Sequence, residues 1–115
     1  MTGTSGSAAL RVERRGNVAI IENDAAPWNP MTFEFMDELE AAIADLGPDD
    51  GIRAIVITAA GDQHFSVGMD LKQFMAVAGD RARTEAVLDQ RLRVLAAIEN
   101  MTKPSVVTLF GYCLG

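Results

Sequence analysis

The chain has 115 residues, of which 49% are hydrophobic and 23% are charged. This composition is typical of one small folded domain and excludes a disordered chain. The formal net charge of −6 opposes binding to nucleic acid or to an anionic membrane surface, so we expect neither as a partner.

Two features bear on the compartment and on the domain limits. The single cysteine, Cys113, has no partner for an internal disulfide, which is typical of a reducing cytoplasm. The first nine residues (MTGTSGSAA) are small and polar, unlike a secretory signal, and no apolar run approaches the ~20 residues that cross a bilayer. We therefore expect a cytoplasmic protein with a flexible tail over residues 1–8 and one domain over residues 9–115.

The domain is predicted to open with two antiparallel strands. Residues 9–14 (ALRVER) alternate between apolar and polar, as in a half-exposed strand. Arg15-Gly16-Asn17 makes a turn, and residues 18–22 (VAIIE) continue as a more buried strand. Residues 23–30 (NDAAPWNP) contain two prolines and are predicted to form an extended loop.

The next segment is predicted to be a helix that buries one apolar face. Residues at helical spacing form that face: Phe33, Met36, Leu39, Ile43 and Leu46. Its cap is either Asn29, with Pro30 at the first helical position, or Thr32. Gly47-Pro48 is predicted to end the helix, with Gly47 as the residue just beyond it.

Two later apolar runs predict parallel strands covered on both faces, at residues 52–59 (IRAIVITA) and 105–110 (SVVTLF). A long helix over residues 81–101 lies between them. Its buried stripe is expected to comprise Leu88, Leu92, Leu95, Ile98 and Met101. The order strand, strand, helix, strand, helix, strand predicts an α/β fold with right-handed crossovers and a largely parallel sheet.

The segment at residues 64–71 (HFSVGMDL) joins a strand to a short helix over residues 71–78. Such a glycine corner leaves main-chain N–H groups pointing outward, and Gly68 lets a ligand approach the backbone closely. Asp70 and Gln73 form a capping-box-like pair, in which Asp70 accepts from Gln73 N–H and the Gln73 side chain reaches back to the cap. The Met69 N–H is then predicted to remain available as one donor of an oxyanion hole. The alternative is a connection that merely needs a glycine and a cap.

Other catalytic interpretations of the chain are weaker. Ser66 lacks the glycine two residues earlier that a G-x-S-x-G nucleophile requires, and His64 is interpreted as a residue on a surface turn. Cys113 is expected to be a buried packing thiol. Asp49-Asp50-Gly51 lacks a third ligand, so no metal site is predicted.

Several motifs, taken in order, resemble a known family. FSVGMDL at residues 65–71, Lys103-Pro104 and GYCLG at residues 111–115, with residues 23–31 and 52–58, resemble the N-terminal part of the enoyl-CoA hydratase/isomerase (crotonase) family. The resemblance runs from about residue 8 to the last residue. It implies the N-terminal portion of a crotonase-like (ClpP/crotonase) spiral fold, of order ββαβαβ, as a truncated domain.

The resemblance also implies a site. In that family, two backbone N–H groups hold the carbonyl oxygen of an acyl-CoA thioester and stabilise an enolate-like anion. The first donor corresponds to Met69, and the second to the glycine directly after the position matching Gly115. Coenzyme A is then part of the substrate, and no separate cofactor or metal is implied. By the same likeness, the residues that line the acyl-CoA groove are Ala26, Trp28, Ser66, Val67, Gly68, Met69, Asp70, Leu71 and Gly111.

By the same likeness, the two glutamates that act as acid and base in hydratases of the family fall beyond residue 115. The resemblance also implies a lyase or isomerase that assembles as a homo-oligomer, a trimer or hexamer in full-length form. It implies no turnover by these 115 residues alone. The second hypothesis is a non-catalytic fragment that at most binds coenzyme A weakly or packs against a partner. Phe110 and the Trp28-Asn29-Pro30 stretch depart from the family pattern, which leaves the acyl group open.

Overall fold

The computed structural model describes residues 2–6 and 9–115, with side chains for residues 9–115. In this part of the chain, the strands follow one another across a single sheet in chain order. They are β1 (Thr2–Gly6), β2 (Leu10–Arg15), β3 (Val18–Asn23), β4 (Ala54–Ala59) and β5 (Ser105–Val107). Strands β1, β2 and β3 are antiparallel, whereas β3, β4 and β5 are parallel. The α/β prediction is confirmed, but the sheet is mixed rather than largely parallel.

Strand β1 lies in the segment for which the composition predicts a flexible tail. Thr2–Gly6 pairs with β2, from Thr2 opposite Arg15 to Gly6 opposite Arg11. Because a ladder needs only main-chain N–H and C=O groups, small and polar residues can still join a sheet at its edge. The tail prediction is wrong over Thr2–Gly6. Its positions 1, 7 and 8 lie outside the described residues.

Within the described ranges, the helices are α1 (Phe33–Leu46), α2 (Leu71–Val77) and α3 (Arg81–Glu99). Of the two predicted caps of α1, the chain uses Thr32, whose Oγ1 accepts from Phe35 N–H at 3.0 Å. Gly47 keeps a right-handed helical conformation (φ −55°) and is the cap of α1 rather than the residue beyond it. Helix α2 corresponds to the short helix predicted over residues 71–78, so the element that the prediction lacks is the strand β1.

The core joins the inner face of the sheet to α1. Its fully or nearly fully buried residues include Ala19, Ile21, Phe35, Met36, Leu39, Ile43, Leu46, Ile52, Ile55 and Val94. Four of the five residues predicted to face inward from α1 are among them, and Phe33 is half-buried. Burial of each large apolar side chain contributes about 1.5–3 kcal/mol, so this stripe fixes α1 against the sheet.

The predicted burial of α3 and β5 is wrong. Leu88, Leu92 and Leu95 are exposed on α3, where Val94 is the buried residue instead, while Ile98 and Met101 are partly buried against the core. Strand β5 ends at Val107 rather than at residue 110, and its three residues are exposed. Apolar periodicity identifies the face of an element that suits burial. Whether that face is buried depends on which other elements pack against it.

Candidate functional site

Three irregular segments lie side by side at one edge of the sheet, and we refer to them as the site segments. Residues 28–31 follow β3, residues 65–69 follow β4, and residues 110–115 follow β5. The carboxyl ends of parallel strands lie at the same edge of a sheet, which is where open α/β folds bind ligands. The topology thus brings together motifs that are far apart in sequence.

The middle site segment is hydrogen-bonded to both of its neighbours. On one side, Val67 N–H donates to the carbonyl oxygen of Trp28 at 3.0 Å. On the other side, Ser66 N–H donates to the carbonyl oxygen of Tyr112 at 3.0 Å. The predicted glycine corner is therefore held at the centre of the site.

Two buried asparagines hold the first site segment in place. Asn29 is fully buried with φ +48°, and its Nδ2 donates to the carbonyl oxygens of Ala60 at 2.9 Å and His64 at 2.8 Å. Its Oδ1 accepts from Ala25 N–H at 3.0 Å. Asn23 Nδ2 donates to the carbonyl oxygen of Asn29 at 2.9 Å. Asn29 is one of the two predicted caps of α1, but it bonds main-chain groups of other segments instead, and only the fold brings the partners of both asparagines near.

His64 directly precedes the middle site segment and stacks between aromatic rings of the first and third site segments. Its ring lies 4.9 Å from the Trp28 ring and 4.3 Å from the Tyr112 ring, with interplanar angles of 7° and 16°. Its Nδ1 accepts from Tyr112 N–H at 3.0 Å, so the neutral ring carries its proton on Nε2. The prediction of a histidine on a surface turn is wrong, because His64 is half-buried between two rings.

Gly68 makes the predicted sharp bend. Its φ is +89°, and a Cβ at this position would lie 2.4 Å from the carbonyl oxygen of Gly115. Its N–H donates to Ser66 Oγ at 2.9 Å, and both residues are buried. Position 68 therefore requires glycine, both for its backbone conformation and for the close approach of the third site segment.

The Met69 N–H is not free. It donates to the carbonyl oxygen of Gly115 at 3.3 Å, so the prediction of an unpaired amide is wrong. This distance lies just beyond the usual N–H···O range of about 2.7–3.2 Å, which indicates a weak hydrogen bond.

An open groove of about 430 Å³ runs beside this amide. The residues that line it are Trp28, Pro30, Val67, Met69, Asp70, Leu71 and Gly115. The structure thus brings together Trp28, Val67, Met69, Asp70 and Leu71 from the predicted set. Ser66 and Gly68 are buried and do not line the groove, while Ala26 and Gly111 are exposed and also lie outside its lining.

Asp70 caps α2 as predicted, but Gln73 behaves differently. Asp70 Oδ1 accepts from the N–H groups of Lys72 at 3.0 Å and Gln73 at 3.2 Å. The Gln73 side chain does not reach back to this cap. Its Oε1 accepts from Phe33 N–H at 2.8 Å, and its Nε2 donates to Glu34 at 2.8 Å, which lowers the pKa of Glu34 below its ordinary value. Gln73 therefore connects α2 to the start of α1.

A second void, the inner cavity, lies behind the site segments and has a volume of about 460 Å³. Apolar side chains of the sheet, α1 and α3 dominate its lining, and Met69 and Gly115 line both the inner cavity and the groove. Cys113 also lines it and is exposed, so the prediction of a buried thiol is wrong. The two voids meet at the glycine corner.

Two buried polar atoms in residues that line the inner cavity have no hydrogen-bond partner, namely Asn23 Oδ1 and Arg91 Nε. Arg91 Nη2 donates to the carbonyl oxygen of Met31 at 2.8 Å. Burial lowers the pKa of Arg91 below its ordinary value. Arg91 has no predicted role, because it is one of several arginines on an otherwise exposed helix.

The described residues contain no group of three or more His, Cys, Asp or Glu side chains placed to hold a metal ion. The helices in this part of the chain are too short or too polar to span a bilayer.

Comparisons with known proteins identify a family and several relatives. The family described as enoyl-CoA hydratase/isomerase matches residues 18–115. The chain is 24% identical over 105 residues to the short-chain-enoyl-CoA hydratase of Clostridium acetobutylicum, covering 90% of this chain and 40% of that protein. It is 32% identical over 89 residues to a probable enoyl-CoA hydratase of Mycobacterium tuberculosis, covering 77% of this chain and 33% of the relative.

Solved structures show the same fold. Pseudomonas aeruginosa DspI superimposes with a TM-score of 0.84 at 29% identity, over 95% of this chain and 41% of DspI. An enoyl-CoA hydratase/isomerase from Xanthobacter autotrophicus gives a TM-score of 0.84 at 24% identity, over 94% of this chain and 40% of the neighbour. The chain thus spans less than half the length of the relatives it matches. With its fold and nearly all of its sequence matched, the chain belongs to the enoyl-CoA hydratase/isomerase family.

Proposed function

We propose that the groove binds an acyl-CoA thioester and that Met69 N–H donates to the thioester oxygen, stabilising the enolate-like anion that forms there. The observations that support this proposal are the bend at Gly68 and the presence of Met69 in the lining of both the groove and the inner cavity. A main-chain donor leaves the side chain at position 69 free to vary. Loss of one such donor costs about 10²–10³ in rate in comparable sites.

Binding requires an exchange of acceptors at Met69. The carbonyl oxygen of Gly115 holds this N–H at 3.3 Å, and Gly115 also lines the groove. A thioester oxygen therefore takes the place of the Gly115 oxygen, and the third site segment has to shift away from the corner. Since the hydrogen bond that is lost is long, its replacement by a charge-assisted one is favourable in the anionic state.

Proton transfer is a separate requirement. Among the described residues that line the groove, Asp70 is the one carboxylate, and its Oδ1 already accepts two N–H groups at the start of α2. A carboxylate fixed in this way is a poor general base. We propose that these 115 residues bind acyl-CoA weakly and do not turn it over. The parent activity is that of a cytoplasmic lyase or isomerase that works as a homo-oligomer, with coenzyme A as part of its substrate.

A non-catalytic role is the second candidate. The pairing of Met69 N–H with Gly115 and the capping role of Asp70 both favour a protein that at most binds coenzyme A or packs against a partner.

Calorimetry with crotonyl-CoA tests the proposal, with Met69→Pro as the variant that removes the N–H and Met69→Leu as its matched control. We expect weak binding to the wild type, binding about five- to tenfold weaker in Met69→Pro, and little change in Met69→Leu. An assay of crotonyl-CoA hydration is expected to show no turnover. If the two variants bind crotonyl-CoA equally well, Met69 N–H does not have the proposed role.

A further inference from the structure

We propose that α3 pairs in antiparallel orientation with α3 of a second copy of this chain. The contact is a row of exposed leucines with Arg81 at one end and Glu99 at the other. The proposal goes beyond the acyl-CoA function and does not depend on it. It rests on which side chains α3 exposes and on the order of the charges along that helix.

Helix α3 exposes three leucines at helical spacing. Leu88, Leu92 and Leu95 are 42%, 68% and 62% exposed. Residues three or four positions apart lie on the same face of a helix, so these side chains form one row, which we call the leucine stripe. Val94, the buried residue of α3, lies on a different face. An exposed row of large apolar side chains is typical of a surface that binds another polypeptide.

Opposite charges stand at the two ends of the leucine stripe. Arg81 and Glu99 are the first and last residues of the 19-residue helix, and both are exposed. Their separation is five full turns at about 3.6 residues a turn, so they lie at the same angle around the helix. That angle falls within the leucine stripe. Arg81 Nε donates to Glu85 at 2.9 Å, one turn further along the same face.

These end charges are poorly placed for the stability of their own helix. Anions stabilise the N-terminus of a helix and cations stabilise its C-terminus, because of the helix dipole. The capping residue Asp80 follows this rule, whereas Arg81 and Glu99 reverse it, and the last turn of α3 has no basic residue. The order of charges along this face therefore needs an explanation outside the helix itself.

An antiparallel second copy provides favourable partners for both charges. Arg81 and Glu99 are equally far from the middle of the helix, so Arg81 lies beside the partner's Glu99, and Glu99 lies beside the partner's Arg81. Leu88 then packs against the partner's Leu92. Each charge also lies at the end of the partner helix whose dipole favours it.

The charges select both the orientation and the occupant. A parallel pair of α3 helices would bring like charges together at each end, which disfavours that arrangement. The antiparallel pair is two-fold symmetric, so the same face serves both copies and the assembly closes as a dimer. A second copy of this chain is therefore the partner whose charges complement the leucine stripe.

Charge reversal tests the pairing, with sedimentation equilibrium of the 115-residue chain at low salt as the measurement. The wild type is expected to dimerise reversibly. Arg81→Glu and Glu99→Arg each turn both end contacts into repulsions, so each should raise the dimer dissociation constant about five- to twentyfold. The double variant with Arg81→Glu and Glu99→Arg exchanges the two charges and should recover most of the wild-type affinity.

Arg83→Glu is the matched control for the change in net charge. Arg83 is exposed in the same turn of α3 as Arg81, but it lies off the leucine stripe. We expect its dimer dissociation constant to stay close to that of the wild type. Far-UV circular dichroism of each variant checks that α3 still forms.

Three results would overturn the proposal. A wild-type chain that stays monomeric at millimolar concentration would leave the leucine stripe to a different polypeptide. Folded single variants that dimerise as tightly as the wild type would exclude a role for the end charges. A double variant that dimerises no better than the single variants would exclude the antiparallel contact of Arg81 with the partner's Glu99.

Discussion

At the scale of single residues, Gly68 determines whether the corner can form. The third site segment packs so closely against it that a Cβ would lie 2.4 Å from the Gly115 oxygen and 2.7 Å from the Leu114 oxygen. The backbone at φ +89° adds a second restriction. Two independent effects, steric overlap and backbone strain, therefore oppose any side chain at position 68.

We predict that Gly68→Ala destabilises the protein and displaces residues 110–115. Backbone strain of this kind costs about 1–3 kcal/mol, and the overlap with Gly115 adds to it. Urea unfolding measures the loss. Gly79→Ala is the matched control, since a Cβ at Gly79 meets nothing within 4 Å. If the two variants unfold at the same urea concentration, the proposed close approach at Gly68 is wrong.

At the scale of single residues, the sequence predicts the interactions that are local. The bend at Gly68 and the cap at Asp70 follow from the residue itself and its next few neighbours. The partners of Asn29, His64 and Gln73 lie 31 to 48 residues away where they cross between elements. Sequence spacing carries no information about such contacts, so these roles emerge only from the fold.

At the scale of elements, α1 is connected to its surroundings at both ends and at its middle. Gln73 accepts from Phe33 N–H at its start. At the end of α1, Lys103 Nζ donates to the carbonyl oxygen of Leu46 at 2.8 Å, and its positive charge also interacts favourably with the negative end of the helix dipole. Arg93 on α3 bonds Glu40 at its middle. The Lys103-Pro104 motif thus has a structural role that is independent of any ligand.

The contact between α1 and α3 is predicted to weaken at acid pH. Hydrogen bonds from Arg93 and then Gln90 hold the pKa of Glu40 below its ordinary value of 4.5. Because the pKa in the folded state lies below that of the unfolded chain, the stabilising contribution is complete above pH 4.5. It is lost as the pH falls through the folded-state value.

Urea unfolding of wild type and Glu40→Gln from pH 7 to pH 3 measures this effect. We expect the variant to be less stable at pH 7 and the difference to shrink as the pH falls below 4.5 and the wild-type carboxyl takes up a proton. Glu99→Gln on the exposed side of α3 is the control and should differ little from wild type. A difference between wild type and Glu40→Gln that is constant with pH would exclude the ionised Glu40 as its cause.

At the scale of elements, the sequence predicts the type of an element but not which other elements cover it. The spacing of apolar residues predicted α1, and its inward stripe is buried because the sheet lies against it. The same kind of spacing predicted a buried face on α3, where Leu92 is 68% exposed. Periodicity describes the surface of an element, whereas burial depends on the neighbour, which the sequence pattern does not specify.

At the scale of the whole molecule, the sequence predicts the fold class but not the apolar surface that one side of the molecule exposes. The strand–helix order and the family resemblance both indicated the observed α/β fold. The structure leaves an apolar surface exposed where α3, β5 and the third site segment meet solvent. Its members include Leu92, Leu95, Val106, Val107 and Leu109. Leu95, Val107 and Leu109 also line the inner cavity, which therefore opens onto this surface.

We predict that this surface makes the chain self-associate, because contiguous exposed apolar area drives protein contacts. Sedimentation velocity at increasing concentration should show species larger than the monomer. The double substitution Leu92→Glu and Leu95→Glu should shift the distribution toward monomer, whereas Ala97→Glu on the same helix should not. A wild-type chain that stays monomeric at every concentration would contradict the prediction.

The central claim is that Met69 N–H binds the oxygen of an acyl-CoA thioester in place of Gly115. The most direct measurement is the Met69 amide resonance of the ¹⁵N-labelled chain during titration with butyryl-CoA and with S-butyl-CoA, a thioether that lacks the carbonyl oxygen. We expect the thioester to shift this resonance downfield and the thioether to leave it near its starting position, even if both ligands shift groove residues such as Leu71. The same shift with both ligands, or no shift with either, would contradict the claim.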